Sequence, residues 1–297
     1  MKTQKVKGLD IKVPNSKAFA YETPPHLPKL HTNTLVIGVR GIGKTVATVN
    51  LMQQLPFDRI FAISPSMKSN KEIMKNLKIE DEDVFDNPDD ISCLDKIKEA
   101  IEAEAEDLME YKRKLKRYNE MMKKINGNDS LFSVEAENLL EFFQNGMFQK
   151  PTHKWGGERP CCACLVDDCI GSGIFTSGIK KLNSMVIRHR HLGQLDEGGA
   201  IGISLFFLLQ SYKAAAGGIS KCIRNNATNL LVFRNKNEKQ LLEIAEECGG
   251  EVDQDTFMRI YDYCIQDKHD FMFIDFFKKD NHPSMFRRSY NEFITNF

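Results

Sequence analysis

The segment Gly38-Val39-Arg40-Gly41-Ile42-Gly43-Lys44-Thr45 fits G-x-x-x-x-G-K-[ST], and no other stretch restricts the fold as much. Its glycines let successive backbone N–H groups turn inward around an anion. A helix starting just after them directs its positive N-terminus at the same point. Lys44 adds a point charge suited to β- and γ-phosphates, and the Thr45 hydroxyl suits Mg²⁺. The pattern has this meaning only between a strand and a helix. Both are predicted, with apolar Leu35-Val36-Ile37 in a strand from Thr34 and a helix running to about Gln54.

The remaining chain repeats that alternation. Strand-like runs fall at Arg59–Ser64, which stops at Pro65, and at Cys162–Val166, Gly202–Leu209, Asn229–Phe233 and Phe271–Phe276. Helical stretches lie around Gly178–His191, Ile219–Arg224 and Glu238–Glu247. This predicts an α/β domain with a mostly parallel sheet flanked by helices. Residues 1–33 contain Pro14, Pro24, Pro25 and Pro28 and predict an extended arm, packed on the domain or partly free. The domain itself is expected over 34–297.

Within it, a long helix is expected from Leu94 to Ile125. Ile101, Leu108, Leu115 and Met122 recur every seven residues, as do Tyr111, Tyr118 and Ile125. That seam suits a coiled-coil-like hairpin, turning at Asn126-Gly127-Asn128-Asp129 and returning through a helix near Val134–Phe143. It equally suits an amphipathic helix lying on the domain. Either way it forms a helical insertion at about 94–150.

A phosphate loop needs an acid on another strand to complete a metal shell. Ala163-Cys164-Leu165-Val166-Asp167-Asp168 supplies two at the end of an apolar run. Asp167 is expected on the metal through water and Asp168 on the attacking water, with a helix N-cap as the alternative role for Asp167. The apolar strand ending Leu209-Gln210-Ser211 offers an amide to sense a γ-phosphate or to cap the strand. Arg190, in Arg188-His189-Arg190-His191, and Arg224, in Cys222-Ile223-Arg224-Asn225-Asn226, could each reach a neighbouring subunit's phosphate, or bind solvent or a phosphate backbone. A guanine-nucleotide switch is the competing reading. Asp168-Cys169-Ile170-Gly171 fits D-x-x-G, and Asn235-Lys236-Asn237-Glu238 falls one residue short of N-K-x-D.

Charge and cysteine content narrow the class. The 297 residues carry 41 basic and 41 acidic side chains, which excludes a uniformly basic chain. The balance is local, however: residues 80–107 hold thirteen acids against Lys96 and Lys98, so the rest of the chain is net positive. The eight cysteines are read as reduced, buried thiols flanking a strand rather than metal ligands. The polar start Met1–Asp10 and the shortness of the apolar run 201–209 predict a soluble intracellular protein without a membrane partner.

From Leu35 to Phe276 the ordered set of motifs resembles the DNA-packaging ATPases of large DNA viruses and virophages, the poxvirus-like branch of the FtsK–HerA superfamily. The resemblance lies in Gly38–Thr45, Leu165-Val166-Asp167-Asp168, His189-Arg190-His191, Leu209-Gln210-Ser211 and Ile223-Arg224-Asn225-Asn226. It closes on Lys268-His269-Asp270-Phe271-Met272-Phe273-Ile274-Asp275. It implies a RecA/FtsK-like P-loop NTPase of the ASCE type that uses ATP and Mg²⁺. Arg190 matches the family's Gly-Arg-His arginine and Gln210 its sensor glutamine, while His189 departs from the family's glycine.

The resemblance also implies a pentameric or hexameric ring moving double-stranded DNA at the capsid or portal vertex. Such a protein would sit at the assembly site in the host cytoplasm or with the virion. A related DNA helicase or recombination ATPase would share the same chemistry. DNA contact is expected to be sequence-tolerant, with Lys180, Lys181, Arg188, Arg190, Lys278, Lys279, Arg287 and Arg288 as available charge.

Overall fold

The computed structural model describes residues 21–126, 149–213, 218–250 and 252–296. Its strands are β1 (Asn33–Ile37), β2 (Arg59–Ile63), β3 (Val84–Phe85), β4 (Cys162–Asp167), β5 (Ser204–Leu209), β6 (Asn229–Phe233), β7 (Phe271–Asp275), β8 (Phe286–Arg288) and β9 (Glu292–Phe293). They form one sheet in the order β3-β2-β4-β5-β1-β6-β7-β8-β9. From β3 to β6 every pairing is parallel, and β7, β8 and β9 join antiparallel.

The helices are α1 (Lys44–Gln54), α2 (Lys71–Leu77), α3 (Ser92–Asn126), α4 (Ile179–Arg188), α5 (Lys221–Asn225), α6 (Glu238–Cys248) and α7 (Gln254–Cys264). One crossover helix returns a chain to the starting edge of a sheet, and a second takes it back. Because α6 and α7 both lie between β6 and β7, β7 runs the opposite way. The helical pattern of α6 is legible in the sequence and that of α7 is not, so the antiparallel edge does not follow from it.

Alternate strand residues face opposite layers, as a two-residue period requires. Leu35, Ile37, Phe61, Ile63, Cys164, Val166, Leu205, Phe207 and Val232 meet α3, α4, α6 and α7. Val36, Ile60, Ala62, Leu165, Phe206, Leu208, Leu231 and Phe233 meet α1, α2 and Leu27 of the arm. The cysteines near β4 (Cys161, Cys162, Cys164 and Cys169) are free and buried, as expected of small hydrophobes.

The long helix divides at its middle. Cys93, Leu94, Ile97, Ile101, Ala105 and Leu108 are buried in the core beside the sheet, so the first half belongs to the domain and not to an arm. Leu115, Tyr118 and Met122 are only half-buried. The expected return helix at 134–143 lies outside the described residues. The acidic window is partly structural as well: Arg59 donates to both Asp83 oxygens at 2.9 and 2.8 Å and to Glu104 at 2.9 Å. Trp155 Nε1 donates to the other Glu104 oxygen at 2.6 Å, pinning α3 to the 151–160 segment.

The described part of the arm, from Tyr21, is packed down. Leu27 is fully buried. Lys279 donates to the carbonyls of Thr23 (3.1 Å) and Pro24 (2.7 Å), and His282 Nε2 lies 2.7 Å from that of Pro25. Arg287 bonds the carbonyls of His26 and Tyr290, while its second nitrogen meets Asp275 at 3.2 Å. Arg287 is 0% exposed and Asp275 1%, so each neutralises a charge that water cannot reach. Replacing one member alone leaves the other uncompensated. Arg287→Leu should therefore lower unfolding free energy by about 3–5 kcal/mol, read as a drop in urea midpoint. The double variant Arg287→Leu/Asp275→Leu should recover part of the loss.

Candidate functional site

Between Ile37 and Lys44 the backbone must reverse from strand to helix. Gly43, the N-cap of α1, has φ 109°, where a side chain would be strained. Gly38 supplies room: a Cβ there would lie 2.8 Å from Ile42 Cγ2 and 2.8 Å from Phe233 Cβ. Val39, Arg40 and Gly41 form the exposed tip, and Ile42 turns inward. His269 holds this turn, its Nδ1 lying 2.9 Å from the Ile42 carbonyl. The Lys44 ammonium donates to the carbonyls of Gly38 (2.8 Å) and Val39 (3.2 Å), so a phosphate would compete for the same donors. Burial lowers the Lys44 pKa, opposed by Asp167 and Asp168.

Strand β5 lies between β1 and β4, and all three end at the same edge of the sheet. Across that gap Thr45 Oγ1 donates to Asp167 Oδ2 at 3.3 Å. Burial, and then the neighbouring Asp168, pushes the Asp167 carboxyl above its ordinary pKa. A hydroxyl and a carboxylate are hard oxygen donors, fitting Mg²⁺ that takes one or two protein ligands and completes its shell with phosphate and water. Among the described residues no group of three or more His, Cys, Asp and Glu gathers around a point.

Asp168 is exposed, with φ 54°, uncommon for a residue with a side chain. Gln210, from the end of β5, donates to Asp168 Oδ1 at 3.3 Å. Cys169 Sγ braces the same turn, 3.1 Å from the Asp167 carbonyl and 3.3 Å from that of Ile63. The N-cap alternative for Asp167 fails, since the next helical turn begins only at Gly173.

The two arginines separate. Arg224 is committed within its own chain: Nε donates to Glu247 at 3.0 Å, Nη1 donates to the Ile219 carbonyl at 2.9 Å, and the guanidinium lies over Tyr212. This pairing within the chain competes with a finger role for Arg224. Arg190 is exposed and sits at the other end of β5 from Gln210, where the His189 carbonyl accepts from Ile203 N at 2.8 Å. Six strand residues, about 20 Å, separate it from its own phosphate loop. It lines a cavity of about 420 Å³ with Lys29, Lys278, Asn225, Asn226 and Asp275. His189 has helical φ and ψ of −52° and −33°, which need no glycine, and its ring is buried with Nδ1 2.6 Å from the Val186 carbonyl.

The guanine-switch segment also has a structural role. Asn237 caps α6 by accepting from Gln240 N at 3.2 Å, and Asn235 bonds the Gln240 side chain. Gln240 in turn donates to Ser211 Oγ at 2.6 Å. These side chains hold the ends of β5 and β6 together. His269, which braces the phosphate loop, stood in the sequence only as the lead-in to a strand.

No family model matches the chain, and no curated protein matches it in sequence. Among solved structures, it is similar to the genome packaging NTPase B204 of Sulfolobus turreted icosahedral virus 2 in complex with ATP-gammaS. That alignment covers 82% of this chain and 90% of the other, at 10% identity and a TM-score of 0.38. The pCW3 conjugation coupling protein TcpA, in monomer form with ATPgS, aligns over 82% of this chain and 58% of its own, at 14% identity and a TM-score of 0.40.

Near Arg190, burial lowers the His31 pKa from 6.5 to about 4, with His189 adding to the shift. A depressed imidazole pKa means that the unfolded chain binds the proton more readily than the folded one. Stability is therefore full above about pH 6.5 and is lost as pH falls toward about 4. Urea midpoints at pH 7 and pH 4.5 should show a shallower decline for His31→Gln than for the natural protein.

Proposed function

We propose that this protein is an ATP hydrolase that moves double-stranded DNA, packaging a viral genome into its capsid as a ring of identical subunits. The observation that carries the hydrolase reading is the meeting of Lys44, Thr45, Asp167, Asp168 and Gln210 at one edge of the sheet. Lys44 and the N–H groups of Gly38–Thr45 bind the phosphates. Thr45 and Asp167 would hold Mg²⁺, which would neutralise phosphate charge. Asp168 accepts a proton from the attacking water, and the Gln210 amide fixes its carboxylate and senses the phosphate beside it.

The ring is supported by the position of Arg190. It lies too far from its own loop to act there, yet it is exposed on the opposite edge, where a neighbouring subunit's nucleotide can meet it. Five or six subunits would close the ring, with capsid or portal-vertex proteins as its seat. Contact with DNA would be to the phosphate backbone and salt-sensitive. Among the described residues no helix is long and apolar enough to cross a membrane. Such a motor would work at the assembly site in the host cytoplasm or with the virion.

Steady-state turnover with and without duplex DNA tests this reading. Lys44→Ala should abolish DNA-stimulated ATP hydrolysis, and Asp168→Asn should cut it by about 10²–10⁴ while ATP still binds. Persistent turnover in both variants, or a strong preference for GTP, sinks the assignment. Arg190→Ala should reduce turnover by about 10³ or more, and adding it to natural protein should inhibit more than in proportion to its share. Displacement of a strand from short forked duplexes would favour a helicase over a packaging motor.

A further inference from the structure

The acids around β3 and the start of α3 have partners of several kinds. Asp83 and Glu104 hold Arg59, Asp86 lies 2.8 Å from the Lys68 ammonium, and Asp95 lies 2.5 Å from that of Lys181. Asp90 accepts from the N–H of Ser92, the first residue of α3, at 3.0 Å. Asp89 reaches further. Its Oδ1 accepts from Gly173 N at 2.7 Å, across 84 residues of sequence.

Gly173 ends the turn that begins at Asp168. Ser172 folds that turn tightly, its N and Oγ reaching the Cys169 carbonyl at 3.0 and 2.6 Å. At Gly173 backbone then packs on backbone. A Cβ there would stand 2.5 Å from the Asp89 carbonyl oxygen and 2.8 Å from the Asp89 Cα. Ile174 N adds a bond to the Pro88 carbonyl at 3.0 Å. Asp89 is itself fixed: its N–H donates to Asn87 Oδ1 at 3.1 Å, and Cys93, Leu94 and Ile97 of α3 are buried in the core.

We infer that Asp89 is a positioning residue for the acid pair, holding the far end of the Asp168–Gly173 turn and so setting where the Asp168 carboxylate points. This rests on the hydrolase reading above, to which it adds a residue outside every phosphate-site motif. Asp168, at φ 54°, needs such support, because a side chain in the left-handed region persists only where its surroundings over-determine it. The Cys169 thiol braces the near end of the turn against the Ile63 carbonyl, but a thiol is a weak donor. A hydrogen bond accepted by a carboxylate is shorter and stronger than one between neutral groups, so the firmer anchor is Asp89. Gln210 meets Asp168 Oδ1 from β5, so a turn displaced by about 1 Å loses that contact and its aim at the attacking water.

Steady-state turnover and nucleotide binding by the full chain test the assignment. Asp89 is exposed, so Asp89→Ala leaves the core intact. It should lower kcat for ATP by about tenfold or more, while KM and the affinity for a fluorescent ATP analogue change by less than about twofold. Asp89→Asn keeps an oxygen that accepts from Gly173 N, and kcat should return to within about threefold of the natural protein. Gly173→Ala forces the two backbones apart with the carboxylate intact, and should lower kcat to a similar extent as Asp89→Ala. Unchanged kcat in both Asp89→Ala and Gly173→Ala overturns the inference. So does a loss that Asp89→Asn shares and that follows a fall in thermal midpoint, the mark of a contact that only stabilises the fold. If Asp168→Asn leaves turnover unchanged, the hydrolase reading fails and takes the positioning role with it.

Discussion

Everything at the phosphate end depends on β5 being hydrogen-bonded on one side to β1 and on the other to β4. Neighbouring strands lie about 4.8 Å apart, so one intervening strand sets the phosphate loop and the acid pair roughly 10 Å from each other. Thr45, the second residue of α1, and Asp167, at the end of β4, then lean across the gap to within hydrogen-bonding distance. Gln210 continues the strand that fills the gap, which is why its amide reaches Asp168. Without β5 in that place the acids would crowd the loop and no side chain would stand between them.

The same strand order separates two tasks in space. Nucleotide-facing residues follow the carboxyl ends of the parallel strands, while Arg190 and its polar cavity follow the amino ends. The antiparallel addition of β7 to β9 has a further effect. It brings the C-terminal turn back to α1, where Tyr290 reaches Ala47, and lays Arg287 under the arm. A fully parallel edge would have left that side of α1 without a wall.

The sheet and the phosphate loop were legible because their signals are local: glycine spacing, apolar runs of strand length, and acids where a buried run stops. Asp167, Asp168 and Gln210 each stood at the end of such a run, and the structure brings them together. What escaped depends on partners distant in sequence. Arg224 looked free until Glu247 took its donors. Asn235 and Asn237 looked like a base-reading pair until α6 used them as a cap. Tyr290 and His269 owe their positions to a strand reversal that α7 produces, and α7 is built largely of Thr, Phe, Ile, Tyr, Asp and Cys, residues of low helix propensity. The seven-residue repeat of α3 was real, but its first half packs into the core beside the sheet and α4 and not into a coiled coil.

That division of α3 has a mechanical consequence. An α-helix of 35 residues is continuous and stiff, and here its first half is clamped by the sheet and by Arg59 and Trp155. The hold continues through Tyr111 on His153 and Arg113 beside Asp196, and the portion from Lys114 to Asn126 extends for roughly 20 Å at 1.5 Å per residue. A tilt of about 10° at the clamped base would sweep its tip through about 3.5 Å. The helix is thus a lever whose fulcrum rests on the β2–β4 side of the sheet, beside the strand that carries Asp167.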